Sequence, residues 1–136
     1  MKEKKITINL SETEAAQIDF LVSKGLYASR SDYVRLAVRN QNQAHKEDFD
    51  RFLATPDYQP PTIIPIYALG IMKLGKRKLE GYLLSSKKVR VRLIGVLTIE
   101  KDVSVQLLSD TLLDIEVYGK LIASDEVKEF LKRNFT

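Results

Sequence analysis

Hydrophobic and polar side chains alternate in the first ten residues of the chain. Two sets of side chains would lie on opposite faces of an extended segment there: Ile6, Ile8 and Leu10 on the apolar face, and Lys5, Thr7 and Asn9 on the polar face. This pattern predicts a half-buried β-strand over residues 5–10. One short strand leaves both of its edges without hydrogen-bond partners, so its partner must be another part of the chain or a second copy of it.

A first helix is predicted directly after this strand. Ser11 and Glu14 have the S-x-x-E spacing of a capping box, in which each side chain accepts a hydrogen bond from the other residue's backbone amide. Gly25 is placed to end the helix. Apolar residues at helical spacing give the helix one buried stripe, which consists of Ala15, Ile18, Leu21 and Val22.

A second helix follows after a short connection. Ser29 and Asp32 form an S-x-x-D cap at its start. Its predicted buried stripe consists of Val34, Ala37 and Val38. A strand and two short helices cannot enclose a core that outweighs chain entropy, so we expect this segment to fold as a dimer. Two strands would pair antiparallel, and four helices would close over their apolar face.

The segment "KKITINLSETEAAQIDFLVSKGLYASRSDYVRLAVRN" resembles the ribbon-helix-helix family of DNA-binding proteins, which includes Arc, MetJ and the CopG-type repressors. The resemblance covers residues 4–41 and depends on two features. One is the I-x-I-x-L strand that leads into a capping serine, and the other is the "SRSDYVRLAV" opening of the second helix. The resemblance implies an intertwined homodimer that binds double-stranded DNA and regulates transcription, as a repressor in many members.

The resemblance also implies two sets of contact residues. The outward strand residues of the family read base edges in the major groove, and these positions here are Lys5, Thr7 and Asn9. The family docks the start of its second helix on a DNA phosphate, and these positions here are Ser29, Arg30 and Ser31. Reading positions in the family often include an arginine, whereas this chain has a lysine.

Elementary chemistry agrees with these assignments. In the major groove a lysine donates to guanine acceptors, an asparagine pairs with adenine through two hydrogen bonds, and a threonine offers a hydroxyl and a methyl group. A helix N-terminus suits a phosphate oxygen. Lys2 and Lys4 add attraction to the DNA backbone that does not depend on sequence. The alternative is that the polar face is only the solvated side of an amphipathic strand.

The second half of the chain contains an internal repeat. Gly95 and Gly119 align at an offset of 24 residues, and Gly70 aligns with Gly95 at an offset of 25, each within a run of alternating apolar residues. Two sets of leucine and valine positions repeat with them: Leu79, Val103 and Val127, and Leu83, Leu107 and Leu131. This predicts three strand–helix units with mostly parallel strands. A small mixed domain without true stacking is the alternative.

The predicted fold is therefore α+β with three parts. Residues 1–42 form the ribbon-helix-helix domain, and residues 43–61 a connector with a short helix around Phe49, Phe52 and Leu53. Residues 62–136 form a three-repeat α/β domain for oligomerisation, partner binding or effector binding. Two or more dimers would associate through this last domain.

The charged residues of the second half are unevenly distributed. A basic stretch carries Lys73, Lys76, Arg77, Lys78, Lys87, Lys88, Arg90 and Arg92. The last unit is acidic, with Asp110, Asp114, Glu116, Asp125, Glu126 and Glu129. The basic stretch fits a solvated sheet face, a second nucleic-acid surface or a patch for anionic lipid.

The amino-acid composition argues against several classes of function. The chain has no cysteine and a single histidine, His45, which argues against thiolate metal sites and Cys/His or Ser/His nucleophile pairs. We therefore expect no enzyme activity, no metal and no cofactor. No apolar run reaches the length of a membrane span and the N-terminus is charged, so we expect no membrane association and a cytoplasmic location. The net charge of +4 permits a nucleic-acid partner.

Two other functions remain open at this point. The chain could be an antitoxin or plasmid-maintenance protein that holds a partner protein through its C-terminal half. It could also be a scaffold protein that assembles through its repeats, with DNA as an anchor. Both alternatives keep the N-terminal dimer and differ in what the second half binds.

Overall fold

The computed structural model describes residues 3–135. The chain forms two compact units, Met1–Glu47 and Asp48–Thr136, which we call the N-terminal and C-terminal units. The boundary between them lies within the stretch that the sequence predicts as a connector. The functional roles assigned to these parts of the chain stay predictions.

The first helix of the N-terminal unit, α1 (Glu12–Ser23), begins and ends as predicted. The Glu14 amide donates to Ser11 Oγ at 3.1 Å, and the Ser11 amide donates to the Glu14 carboxylate at 3.4 Å. Gly25 has a φ of +77°, and the amides of Gly25 and Leu26 donate to carbonyls of the last turn. These bonds form a Schellman motif, which requires the left-handed backbone that glycine adopts without strain.

The second helix, α2 (Arg30–Ala44), has the predicted cap. The Asp32 amide donates to Ser29 Oγ at 3.1 Å. The Asp32 carboxylate accepts from the Ala28 amide at 3.2 Å, which satisfies a second amide at this end. A short helix, α3 (Lys46–Leu53), is present in the predicted connector. The sequence therefore predicts all three helices correctly.

The segment over residues 5–10 has no strand hydrogen bonds within the described part of the chain, and every one of its residues is exposed. We expect the strand only where a second copy of the chain supplies an antiparallel partner. The predicted strand and its antiparallel pairing therefore stay a prediction.

The C-terminal unit is a three-stranded sheet with three helices. Its elements follow one another in the order β1 (Ile63–Leu74), α4 (Lys76–Leu84), β2 (Lys88–Ile99), α5 (Val105–Thr111), β3 (Leu112–Ile122) and α6 (Asp125–Phe135). The strand order is β1-β2-β3, and both pairs are parallel. The prediction of an α+β protein with parallel strands is confirmed.

The three glycines that define the sequence repeat lie side by side across the sheet. Gly70 pairs with Gly95, and Gly95 pairs with Gly119. Their φ angles are +131°, +144° and +134°, values that L-residues rarely adopt. A Cβ atom on Gly95 would overlap the Gly70 carbonyl, and one on Gly119 would overlap the Gly95 carbonyl. Glycine is therefore required at positions 95 and 119 by close approach as well as by φ.

The core of the C-terminal unit lies between the sheet and its helices. The equivalent residues Leu79, Val103 and Val127 are all at least 97% buried in it. The opposite face of the sheet, which we call the open face, is partly covered by α3. There the Phe52 ring contacts Tyr118 edge-on at 5.4 Å, and Arg92 lies 5.7 Å from the Phe52 centroid. Arg92 is thus packed under α3 rather than part of a solvated basic face.

Candidate nucleic-acid interface

The polar side chains predicted to read DNA lie on the exposed segment before α1. Lys5, Thr7 and Asn9 are exposed, and so is Lys4, one of the two lysines predicted to attract phosphate. Lys2, the other, lies outside the described residues. No hydrogen bond or ion pair of the described residues holds these four side chains in the chain's own structure, so they remain available for a partner.

The apolar side of the same segment faces an open groove. The groove has a volume of about 770 Å³, and its apolar lining includes Ile6, Ile8, Leu10, Ile18, Val34 and Val38. A second groove, of about 610 Å³, continues along α1 and α2. Ile6 and Ile8 are 74% and 58% exposed, and Ile18 is the one buried hydrophobic residue among the described residues of this unit. The predicted stripe of α1 is turned inward, whereas Val38 of the α2 stripe is 52% exposed.

The three predicted phosphate-binding residues lie together at the start of α2. Ser29 Oγ is used by the helix cap. The backbone amides of Arg30 and Ser31 have no hydrogen-bond partner within residues 3–135, as expected in the first turn of a helix. Two amides at the positive end of the helix dipole are therefore open to an anion.

The Arg30 side chain has a partner that the sequence does not predict. Its Nε and Nη2 donate to the two oxygens of the Asp19 carboxylate, both at 2.7 Å. This bidentate pair lowers the pKa of Asp19 and raises the pKa of Arg30. It joins α1 to α2 and holds the guanidinium at the start of α2, where phosphate binding is predicted. No spacing rule connects residues that lie on different helices, so sequence reasoning missed the pair.

Two further arginines line the groove between the exposed segment and α2. Arg35 and Arg39 are four residues apart on α2 and border the same groove as Lys4 and Arg30. The cationic side chains therefore surround the apolar lining. A period of four residues starting at Ser31, one of the predicted phosphate-binding residues, reaches both arginines and could have identified them in the sequence.

The comparison with known proteins settles the family. A model of the Ribbon-Helix-Helix transcriptional regulator family matches residues 1–128 of the chain. The chain belongs to this family. The resemblance carried by residues 4–41 is confirmed, and the match continues through β3 into α6, which the short motifs do not reveal.

This ribbon-helix-helix protein has no match among curated proteins or among solved structures. Members of its family are in general regulators without enzyme activity.

Within residues 3–135, no helix has the length and hydropathy that crossing a bilayer requires. The same residues contain no cluster of three or more histidine, cysteine or acidic side chains suited to a metal ion.

Proposed function

We propose that this ribbon-helix-helix protein is a dimeric transcriptional regulator that reads the DNA major groove with a two-stranded ribbon. The observation that carries the proposal is the division of residues 5–10 into two faces. The apolar face borders an open groove in the N-terminal unit, while the polar face has no hydrogen-bond or ion-pair partner among the described residues.

The dimer is supported by the energetics of the open groove. Ile6, Ile8 and Leu10 expose more than two fifths of their surface in the single chain. Fully burying a side chain of this kind stabilises a fold by about 1.5–3 kcal/mol. A second copy supplies an antiparallel strand for the ribbon and two more helices for the groove, so that both the backbone edge and the apolar face are satisfied.

In the proposed complex, each side chain of the polar face has its own role. Asn9 pairs with an adenine through two hydrogen bonds, Lys5 donates to guanine acceptors, and Thr7 contacts a base edge through its hydroxyl or methyl group. The ribbon of a dimer presents each of these residues twice, related by a two-fold axis. The preferred DNA site is therefore a short palindrome or a tandem of half-sites.

The start of α2 anchors the complex on the DNA backbone. The amides of Arg30 and Ser31 bind a phosphate oxygen, with Ser29 holding the helix end in shape through its cap. Asp19 keeps the Arg30 guanidinium in place at the start of α2, so that its positive charge lies beside the bound phosphate. Lys2 and Lys4 bind the backbone without reading sequence, which makes affinity fall as salt concentration rises.

We predict that Asn9→Ala reduces discrimination between the preferred duplex and single-base variants by about 1–3 kcal/mol. The fold is expected to stay intact because Asn9 is exposed. Fluorescence anisotropy titrations at fixed salt would measure the loss. The matched control is Lys4→Ala, which should weaken all duplexes equally and reduce the salt dependence. If Asn9→Ala bound the preferred duplex and its variants with the parent's affinities, Asn9 would not read a base.

A further inference from the structure

We infer that the C-terminal unit assembles head to tail, with the β1 edge of one copy pairing in parallel with the β3 edge of the next. It adds a second contact between copies of the chain to the N-terminal dimer of the proposed function. It stands without DNA binding, because it depends only on the sheet. The two outer strands, β1 and β3, have no strand neighbour on their outer sides within residues 3–135.

The β1 edge has free backbone groups along one half of its length. The carbonyls of Thr62 and Leu74 accept hydrogen bonds from the β2 side of the sheet. The backbone N–H and C=O groups of even-numbered residues of β1 therefore point toward β2, and those of odd-numbered residues point outward. Near the start of the strand, the Ile63 amide is already bonded to Pro60, and Pro65 has no amide hydrogen. The outward amides that remain surround Gly70 and belong to Tyr67, Leu69, Ile71 and Lys73.

The row of paired glycines across the sheet, which we call the glycine file, indicates which strand edge fits the β1 edge. Gly95 and Gly119 each have no Cβ, and the carbonyl of the glycine on the preceding strand occupies that space. Gly70 has the same unusual φ, but nothing lies within 4 Å of its Cβ position. The equivalent carbonyl at the opposite edge of the sheet is that of Gly119. Placing Gly119 of one copy beside Gly70 of the next extends the file without a change of register.

The helix side of the β3 edge has space for another strand. A groove of about 240 Å³ lies between β3 and α6, and its lining includes Ile115, Val117, Gly119, Leu121, Leu131 and Phe135. The equivalent inner residues of β2, such as Val91 and Leu93, are fully buried. In the extended sheet, Ile66 and Ala68 of the next copy lie beside this groove, under α6.

Charge supports a β3-to-β1 contact over a symmetric contact of two β1 edges. The first turn of α4 carries Lys76, Arg77 and Lys78 and no acidic residue, although a helix N-terminus disfavours cations. One acid, Glu100, lies beside its cap residue Gly75. The first turn of α6 carries Asp125 and Glu126. Head-to-tail pairing puts this acidic turn beside the basic turn of the next copy. A two-fold contact of two β1 edges would be antiparallel and would leave each basic turn without an acidic turn beside it.

Engineered disulfides test the contact in the full-length chain, which has no cysteine of its own. Ile71 pairs with Val96, and Val96 pairs with Lys120, so the proposed register places Ile71 of one copy beside Lys120 of the next. Within one copy, these residues are two strand spacings apart, about 10 Å, which is too far for a disulfide. Both side chains are exposed.

We expect the double variant Ile71→Cys with Lys120→Cys, oxidised without DNA, to shift most chains into covalently linked copies on a non-reducing gel. The control pair, Ile71→Cys with Glu116→Cys, is out of register by four residues and should stay largely unlinked. Three results would overturn the inference in protein that keeps the parent's circular dichroism. They are equal linking in both pairs, equal linking by Ile71→Cys alone, and no linking. Because DNA is absent, failure here leaves the proposed DNA reading unaffected.

Discussion

Gly95→Ala is expected to destabilise the C-terminal unit by about 2–6 kcal/mol. A residue with a Cβ would be strained at a φ of +144°, which costs roughly 1–3 kcal/mol. Its Cβ would also overlap the Gly70 carbonyl in the centre of the sheet, and relieving that overlap costs roughly 1–3 kcal/mol more. Thermal unfolding followed by circular dichroism should show the melting temperature lowered by roughly 8 °C or more.

Gly81→Ala provides the matched control for this variant. Gly81 is an exposed residue of α4, and nothing lies within 4 Å of its Cβ position. Alanine favours a helix over glycine by about 1 kcal/mol, so this variant should be at least as stable as the parent. A Gly95→Ala protein as stable as Gly81→Ala would mean that the three strands do not approach one another at the glycines as described.

Ile8→Asp is expected to prevent formation of the N-terminal dimer. Ile8 is buried in the proposed dimer, where losing a buried isoleucine costs about 2–5 kcal/mol and a carboxylate enclosed without a cation adds a desolvation cost of several kcal/mol. Light scattering should report a smaller assembly, because the contact between N-terminal units is lost while the C-terminal contact remains, and DNA binding should disappear with the N-terminal contact. The C-terminal unit should stay folded, because no residue of its core belongs to the N-terminal segment.

Thr7→Asp serves as the control for Ile8→Asp, because it introduces the same charge one residue away on the opposite face. We expect this variant to stay folded and dimeric while its DNA affinity falls, since the new carboxylate faces the phosphate backbone. If Ile8→Asp formed DNA-binding dimers while Thr7→Asp did not dimerise, the two faces of the segment would be the reverse of those proposed.

The sequence predicts the elements of this fold well because their signals are local. Ser11 with Glu14, and Ser29 with Asp32, mark helix starts through hydrogen bonds between residues three apart. The glycine at position 25 marks a helix end through its φ. The glycines of the C-terminal unit repeat at nearly constant spacing, so a comparison of the chain with itself predicts their register across the sheet.

Features that depend on contacts between distant residues were not predictable. The Asp19–Arg30 pair joins two helices, and the packing of Phe52 on Arg92 joins α3 to β2. Neither contact follows from spacing or periodicity. The basic stretch read as one surface in the sequence is divided in the structure, because Arg92 lies under α3 while Lys76, Arg77 and Lys78 lie at the start of α4. The predicted strand over residues 5–10 has no strand hydrogen bonds within residues 3–135, and the partner that we propose for it is a second copy of the chain.

The family match has a consequence for the C-terminal unit. It covers the residues of all three strands as well as those of the N-terminal unit, so the family resemblance extends beyond the ribbon-helix-helix segment. A regulator with two association surfaces can place several dimers on adjacent half-sites, and this raises apparent affinity without new base contacts.

The most direct test of DNA reading is selection of bound duplexes from a random pool. The selection would be performed with the parent protein and with the variant Lys5→Ala, Thr7→Ala, Asn9→Ala, and affinity would be followed against salt concentration. We expect the parent to select a short palindromic or tandem motif and the variant to lose it while keeping weak, salt-dependent binding. Weak binding without a motif, unchanged in the variant, would mean that the segment does not read DNA and serves dimerisation alone.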